Sequence, residues 1–307
     1  MVFPLIKRIC EYTWKNYKGE EYLFYATTNG TVLNDELKRW FVEHRKRFVL
    51  GLSLDGTADT QNKNRSDSFS KIDISFFREN WPFQDVKMTL SKYSLENLAE
   101  NISFLHEQGF NICGSNFAEG DIDWSDKELL PILARELKKV VAYYFEHPDI
   151  KVCQLFEKNL AFCEAKREIR KKYCGIGTGA VFFDIDGNKY PCPFITPMTF
   201  SSEKIVEIKK IDFSDDENFI DEDCFKNCYL FPICPTCSGN NYKQCNSFKI
   251  RDRGKCDLFK LTVLFIADLQ ARKIANGTDG MDEETKYWTI ESIKKIRKLY
   301  LQDFQKI

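Results

Sequence analysis

No run of apolar residues in this chain approaches the roughly 18–20 needed to span a bilayer as a helix. That absence argues against a membrane-spanning protein. Charge of one sign is also lacking: the formal net charge is −1 over 307 residues, and no block of five or six like charges occurs. Nucleic acid and anionic membrane surfaces are therefore not expected as partners. The start, MVFPLIKRICEYTWKNYKGEE, is no secretory signal, because Lys7, Arg8 and Glu11 interrupt any apolar core. It reads as an amphipathic helix with Leu5, Ile6, Ile9 and Tyr12 toward one side. A cytoplasmic location follows by default. Histidine is scarce, with only His44, His106 and His147.

Cysteine, by contrast, is abundant, with twelve in the chain. In a reducing cytosol, metal ligation or catalysis explains such a number better than disulfides. Cys10, Cys113, Cys153 and Cys163 are scattered through apolar or helical sequence and read as small buried hydrophobes. The other eight lie between 174 and 256.

The first ~150 residues alternate strand-like and helix-like stretches. Strands are expected at Glu21–Thr27, Phe48–Leu54, Val86–Leu90 and Phe110–Ser115. Asn34 should cap a helix over Asp35–Lys46, and Ser94 a helix carrying Leu95, Leu98, Ile102 and Leu105. Ser125 with Glu128 resembles a capping box for a helix running to about Glu146, in which Pro131 must form a kink or shift the start. Between strands two and three, a polar stretch through Ser70 reads as a mobile loop. Strands apolar on both faces and alternating with helices imply a parallel sheet with helices packed outside. A closed eight-unit barrel needs roughly 250 residues, so an open or partial β/α barrel is expected. Polar residues after the strand ends, Thr28 and Asn29, Ser53 and Asp55, then Ser91, Asn116 and Glu119, fall where such folds bind ligands. They are equally what turns require. Composition changes near 165, giving a division into 1–164 (α/β), 165–260 (cysteine-rich) and 261–307 (helices).

Cys174 and Cys192 flank GIGTGAVFFDIDGNKYP, which reads as a hairpin turning at Asp186-Gly187. A hairpin brings its ends together, so both thiols can face one metal. Gly175, Gly177 and Gly179 would let the backbone pass close to a cluster. The second group is Cys224-x3-Cys228-x5-Cys234-x2-Cys237, with Cys245 and Cys256 beyond. Short loops of this kind curl several thiolates around one centre. All three histidines lie elsewhere, and an all-thiolate set of seven or eight suits two iron–sulfur clusters or two structural zinc sites. Spacing alone does not separate them.

Cys174-x12-Gly187-x4-Cys192, the run from Cys224 to Cys237 and the distal Cys256 together resemble the SPASM domain of radical-SAM maturases, although the gaps in the run differ from the usual order. The resemblance implies two auxiliary 4Fe–4S clusters. One would be held by Cys174, Cys192 and Cys237, the other by Cys224, Cys228, Cys234 and Cys256, with Cys245 a possible extra ligand. Thr27–Leu33 (TTNGTVL), Leu52–Gly56 (LSLDG) and Asn62–Arg65 (NKNR) resemble strand-end motifs of the same family's core. By that resemblance Thr28, Asn29, Ser53, Asp55 and Arg65 are candidates to contact S-adenosylmethionine. The family's Cys-x3-Cys-x2-Cys and Gly-Gly-Glu segments do not occur in this sequence, and Cys10 stands alone.

The resemblance thus implies the C-terminal portion of a maturase whose radical chemistry modifies a peptide or protein. The missing barrel strands and the site for S-adenosylmethionine would then come from a longer gene product, of which this is a part, or from a further polypeptide acting as a split partner. Pro193 stands where sulfatase-maturing relatives carry an acidic residue. The alternatives are a non-catalytic iron–sulfur or peptide-binding protein and a zinc-stabilised interaction module.

Overall fold

The computed structural model describes residues 3–19, 21–82, 84–120, 122–164 and 172–305. The boundary expected at 165 falls outside these residues. The chain divides into two compact units, one of residues 1–117 and 149–155, the other of 118–148 and 156–307.

In the first unit, helix α1 (Phe3–Asn16) precedes β1 (Phe24–Thr28), α2 (Asp35–Glu43) and β2 (Phe48–Leu52). Then come α3 (Ala58–Asn64), α4 (Ile74–Asn80), β3 (Asp85–Leu90), α5 (Lys92–Leu95), α6 (Leu98–Glu107) and β4 (Asn111–Phe117). All strand pairing is parallel: β1 runs beside β2, with Phe24 opposite Phe48, and β3 beside β4, with Asp85 opposite Asn111. A bridge between Ser53 and Lys87 joins the pairs, and Leu54 N–H donates to the Lys87 carbonyl at 3.0 Å. The strands thus follow one another in chain order, as right-handed βαβ units allow. The returning segment 149–155 is tied to β4 by Gln154 N–H on the Ile112 carbonyl (3.1 Å) and Leu155 N–H on Ser115 Oγ (2.7 Å).

Only β2, with burial on both faces, is apolar throughout as expected; β1 and β3 alternate. In β3, Val86, Met88 and Leu90 are fully buried while Lys87 between them is exposed. In β1, Tyr25 and Thr27 are exposed. Period-two alternation puts one face against the helices and leaves the other polar. The buried face meets Leu98, Ile102 and Leu105, which recur at helical spacing on α6 and are fully buried. Each such leucine or isoleucine stabilises the unit by about 2 kcal/mol relative to exposure.

Local chemistry sets the helix starts. Asn34 Oδ1 accepts from Leu37 N–H at 2.9 Å, the expected cap. Ser91, not Ser94, caps the next segment: its Oγ accepts from Ser94 N–H, and Ser94 Oγ accepts from Ser91 N–H at 2.8 Å. The two serines form a reciprocal box that sequence spacing does not favour over alternatives. The stretch through Ser70 expected to be mobile is ordered as α3 and the start of a 3-10 turn (Phe69–Lys71), with α4 following. Helix α4 is capped by Asp73, which accepts from Phe76 N–H (3.1 Å), Ser75 Oγ (2.7 Å) and Lys38 Nζ (2.7 Å). The Lys38 hydrogen bond foremost, then that from Ser75, holds the Asp73 carboxyl down at about 2.

Asp73→Ala is expected to cost about 1 kcal/mol at neutral pH, mostly the cap. A lowered carboxylate pKa stabilises above the unfolded value of 3.8 and loses that effect as pH falls through about 2. Urea midpoints of variant and parent should therefore differ at pH 6 and converge toward pH 2. A constant difference would contradict the assignment.

The second unit contains α7 (Leu129–Glu146), the hairpin β5 (Phe182–Phe183) and β6 (Lys189–Tyr190), α8 (Ser202–Ile208) and α9 (Glu222–Asn227). It ends with α10 (Ser238–Cys245), α11 (Cys256–Ala275) and α12 (Glu283–Tyr300). Ser125 makes no capping box; its hydroxyl donates to Asp123. The helix starts later, at Leu129, which puts Pro131 third in the first turn, where its missing N–H leaves no bond unmade. Leu133, Leu137, Val140, Val141 and Tyr144 form the buried stripe of α7, which packs on α11, and α11 on α12. None of the helices described is long and apolar enough to cross a membrane.

Candidate metal centre

Asp184 builds the cysteine hairpin. Its carboxylate accepts from Asp186 N–H (3.0 Å), Asn188 N–H (2.8 Å), Asn188 Nδ2 (3.0 Å) and Tyr190 Oη (3.1 Å). Gly187 takes the left-handed turn at φ +83°, and β5 pairs antiparallel with β6. Gly177 N–H donates to the Pro191 carbonyl at 3.1 Å, drawing the two approaches together. Gly175 and Gly179 serve each other: a Cβ on Gly175 would meet Gly179 Cα at 3.1 Å, so their smallness permits backbone-to-backbone contact. Burial pushes the Cys192 thiol up, and Cys174 adds to the push as an electrostatic neighbour.

Asp221 organises the second group. It caps α9 by accepting from Cys224 N–H (3.0 Å), and its other oxygen accepts from Arg251 N–H (2.8 Å). Arg253 reaches the same carboxylate at 3.3 Å. One buried carboxylate thereby pins the strand of chain before Cys256 to the turn that carries Cys224. A 3-10 turn over Phe231–Ile233 follows, with the Arg251 guanidinium 4.0 Å above the Phe231 ring.

Burial pushes the Cys234 thiol up to about 12, and Cys256, Cys228 and Cys224 all act on it in the same direction against Arg251. Burial likewise raises Cys237, which has Glu119 and Cys192 as neighbours. By electrostatic neighbourhood Cys192 therefore lies with Cys174 and Cys237, and Cys234 with Cys224, Cys228 and Cys256, with Cys163 also adjoining Cys228. Cys245 joins neither; its charged neighbours are Asp252, Asp221 and Arg253. Among the described residues no three His, Cys, Asp or Glu side chains converge on one metal position. All twelve cysteines are free thiols. The donor set suits a thiophilic centre, since each neighbourhood gathers thiols without histidine.

Two residues escaped the sequence reading. Cys163 is a neighbour of Cys228, with its thiol raised to about 12 chiefly by burial, and Tyr300 on α12 is an electrostatic neighbour of Cys228. Neither carries a local motif. Cys163 is read as a hydrophobe from its flanks, and Tyr300 is one of several aromatics on a charged helix.

In the first unit, the candidate ligand residues lie at the carboxyl ends of β1 and β2. Ser53 N–H donates to the Thr28 carbonyl at 2.9 Å, Thr28 Oγ1 accepts from Gly30 N–H (3.1 Å) and Asn29 Oδ1 from Thr31 N–H (3.2 Å). Asp55 and Arg65 meet each other. Arg65 Nε and Nη2 reach the two carboxylate oxygens at 2.8 and 2.9 Å, and Thr89 N–H (2.9 Å) and Asn64 Nδ2 (3.2 Å) complete the set around Asp55, which is 1% exposed.

Solved structures of an anaerobic sulfatase-maturating enzyme, anSMEcpe with bound AdoMet, share this architecture. One superposes with a TM-score of 0.63 at 17% identity over 94% of this chain and 80% of that one. The fold is that of a radical-SAM maturase. A second structure of the enzyme, holding AdoMet and a Kp18Cys peptide, gives a TM-score of 0.62 at 17% identity, covering 91% of this chain and 82% of the other. No protein-family model and no curated protein sequence matches the chain. Within this maturase fold, the Asp55–Arg65 pair lies just past the carboxyl end of β2, and the eight clustered thiols belong to the second unit.

Proposed function

We propose that this chain is the cluster-bearing portion of a radical-SAM maturase acting on a peptide or protein. The observation that carries the reading is the sorting of seven thiols into two neighbourhoods in a chain with the maturase fold. Cys174, Cys192 and Cys237 would hold one auxiliary 4Fe–4S cluster, and Cys224, Cys228, Cys234 and Cys256 the other. When bound, such clusters supply one-electron redox capacity beside a substrate. The chain's own part is positioning. Asp221 fixes the Cys224 turn against the Cys256 approach, the Asp184 hairpin presents Cys192, and Cys237 stands at the N-terminus of α10, where the helix end favours thiolate. Rotation about χ1 is the freedom the thiols need to converge, and ligation would displace the protons that burial now favours. A reducing cytoplasm suits so many free thiols.

These residues encode no Cys-x3-Cys-x2-Cys, and Asp55 and Arg65 are engaged with each other. Both facts favour a second reading in which this polypeptide binds clusters and peptide but cleaves S-adenosylmethionine only with ligands from elsewhere. Thr28, Asn29 and Ser53 would then meet the cofactor only in that assembly, together with the outer face of Arg65. Among the described residues β1 pairs on one side alone, with β2, and its other edge is where added strands would join.

Anaerobic reconstitution tests the proposal. Protein treated with iron and sulfide should turn brown, absorb near ~400 nm and hold about eight irons per chain, as two cubanes imply. Colourless protein that retains two zinc ions instead would overturn it.

A further inference from the structure

Arg251 is only 6% exposed, a costly place for a side chain that stays charged at every physiological pH. Its backbone N–H donates to Asp221 Oδ2 at 2.8 Å, and its guanidinium lies 4.0 Å from the centre of the Phe231 ring. Phe231 opens the 3-10 turn that leads directly into Cys234. The cation is thereby held against the segment that carries this thiol.

A counter-charge is missing. Nε is buried and donates to nothing, and among the described residues the guanidinium makes no hydrogen bond and no ion pair. The carboxylates nearest in the structure of this turn are engaged elsewhere. Asp221 accepts from Cys224 N–H, Arg251 N–H and Arg253 Nη2. Asp252 accepts from Asn240 Nδ2 and from Gly254 N–H, each at 3.0 Å. Arg253, by contrast, has Asp223 at 2.7 Å as well as Asp221, and its side chain is half exposed. Contact with a phenylalanine face offsets only part of what desolvating a cation costs.

The sulfurs around Arg251 can supply the missing anion. Arg251 acts on Cys224 and Cys234 in the sense that favours thiolate, while burial opposes it. As metal ligands both would be thiolates. A water could satisfy Nε but not the charge, and a soluble anion would have to enter a position closed to solvent.

We propose that Arg251 is a positioning residue for the second centre, where its buried charge balances the thiolates of Cys224 and Cys234 and holds the cluster there at a raised reduction potential. The proposal rests on the cluster reading of this chain. One-electron reduction adds a negative charge, and a fixed cation in a low dielectric favours the more negative form.

Dithionite titration followed by electron paramagnetic resonance tests it in a Cys192→Ala background, which keeps the second cluster alone. Arg251→Met removes the charge and keeps most of the bulk. Where the parent cluster is half reduced, its ratio of reduced to oxidised form should fall at least tenfold, a midpoint lower by about 59 mV. Arg251→Gln should shift it the same way, and Arg251→Lys, which keeps the charge, should stay close to the parent. If the methionine and glutamine proteins fail to load this cluster while the lysine protein loads it, the charge is needed for ligation itself, which also supports the proposal. An unmoved midpoint in both charge-free variants would overturn it. Loss of the cluster from the lysine protein as well would leave the guanidinium a packing role and overturn it too. Iron analysis separates this inference from the reading beneath it. About four irons per chain in the Cys192→Ala parent with an unmoved midpoint sinks the role of Arg251 alone, whereas a wild-type chain that takes up no iron sinks both.

Discussion

Cys234→Ala is expected to remove one cluster and leave the other, lowering iron from about eight to about four per chain. Cys234 is the natural choice because Cys224, Cys228 and Cys256 are all its electrostatic neighbours; alanine there takes a thiol from the middle of that set. Cys192→Ala should remove the other half of the iron, since its neighbours are Cys174 and Cys237. The double variant should hold none. Cys245→Ala, whose charged neighbours are carboxylates and Arg253, should keep both clusters and so controls for mere loss of a surface thiol. Iron and sulfide analysis with electron paramagnetic resonance of the reduced proteins reads each outcome. If Cys234→Ala and Cys192→Ala abolish the same signal, the division into two neighbourhoods is wrong.

The second large effect lies in the first unit. Asp55→Ala is expected to destabilise it by about 3 kcal/mol or more, the range for breaking a buried ion pair by removing one partner. Four donors converge on that carboxylate from Arg65, Asn64 and the Thr89 backbone, and alanine would leave them unanswered. Asp55 N–H also donates to Gln61 Oε1 at 2.9 Å, and Gln61 Nε2 in turn to Ser68 Oγ at 3.0 Å, so the network runs through all of α3. The guanidinium keeps partial access to water, with 27% of the side chain exposed, which sets the lower end of the range. A double variant, Asp55→Leu with Arg65→Met, should recover part of the loss, because apolar packing replaces a desolvated pair at little cost. Urea unfolding followed by circular dichroism measures both. A shift under 1 kcal/mol for Asp55→Ala would mean that the pair holds nothing together.

That network explains where the sequence was readable. Strands β1 to β4 were legible because apolar residues alternate with helical stripes, and the pattern is local. The stretch after Asp55 was not, because its order comes from partners far along the chain: Thr89 and Ser91 fix Asp55 and Asn64, while Asn101 Oδ1 accepts from Thr57 N–H at 3.0 Å. Polar helices held from outside look like loops. The open polar face of the sheet was missed for a related reason, since Lys87 and Thr89 interrupt strands whose remaining residues read as continuous apolar runs. Cysteine clustering was plain in the sequence.

The return of residues 149–155 to the first unit has a consequence for any attempt to divide the protein. Gln154 and Leu155 add to β4 only after the chain has left to build α7. During synthesis the parallel strands emerge first yet wait for a segment that follows the long helix of the other unit. No single cut liberates either unit intact. A fragment ending at 117 lacks its last pairing segment, and one beginning at 156 lacks α7, against which α11 packs. The two halves are separate as compact bodies but inseparable as genes.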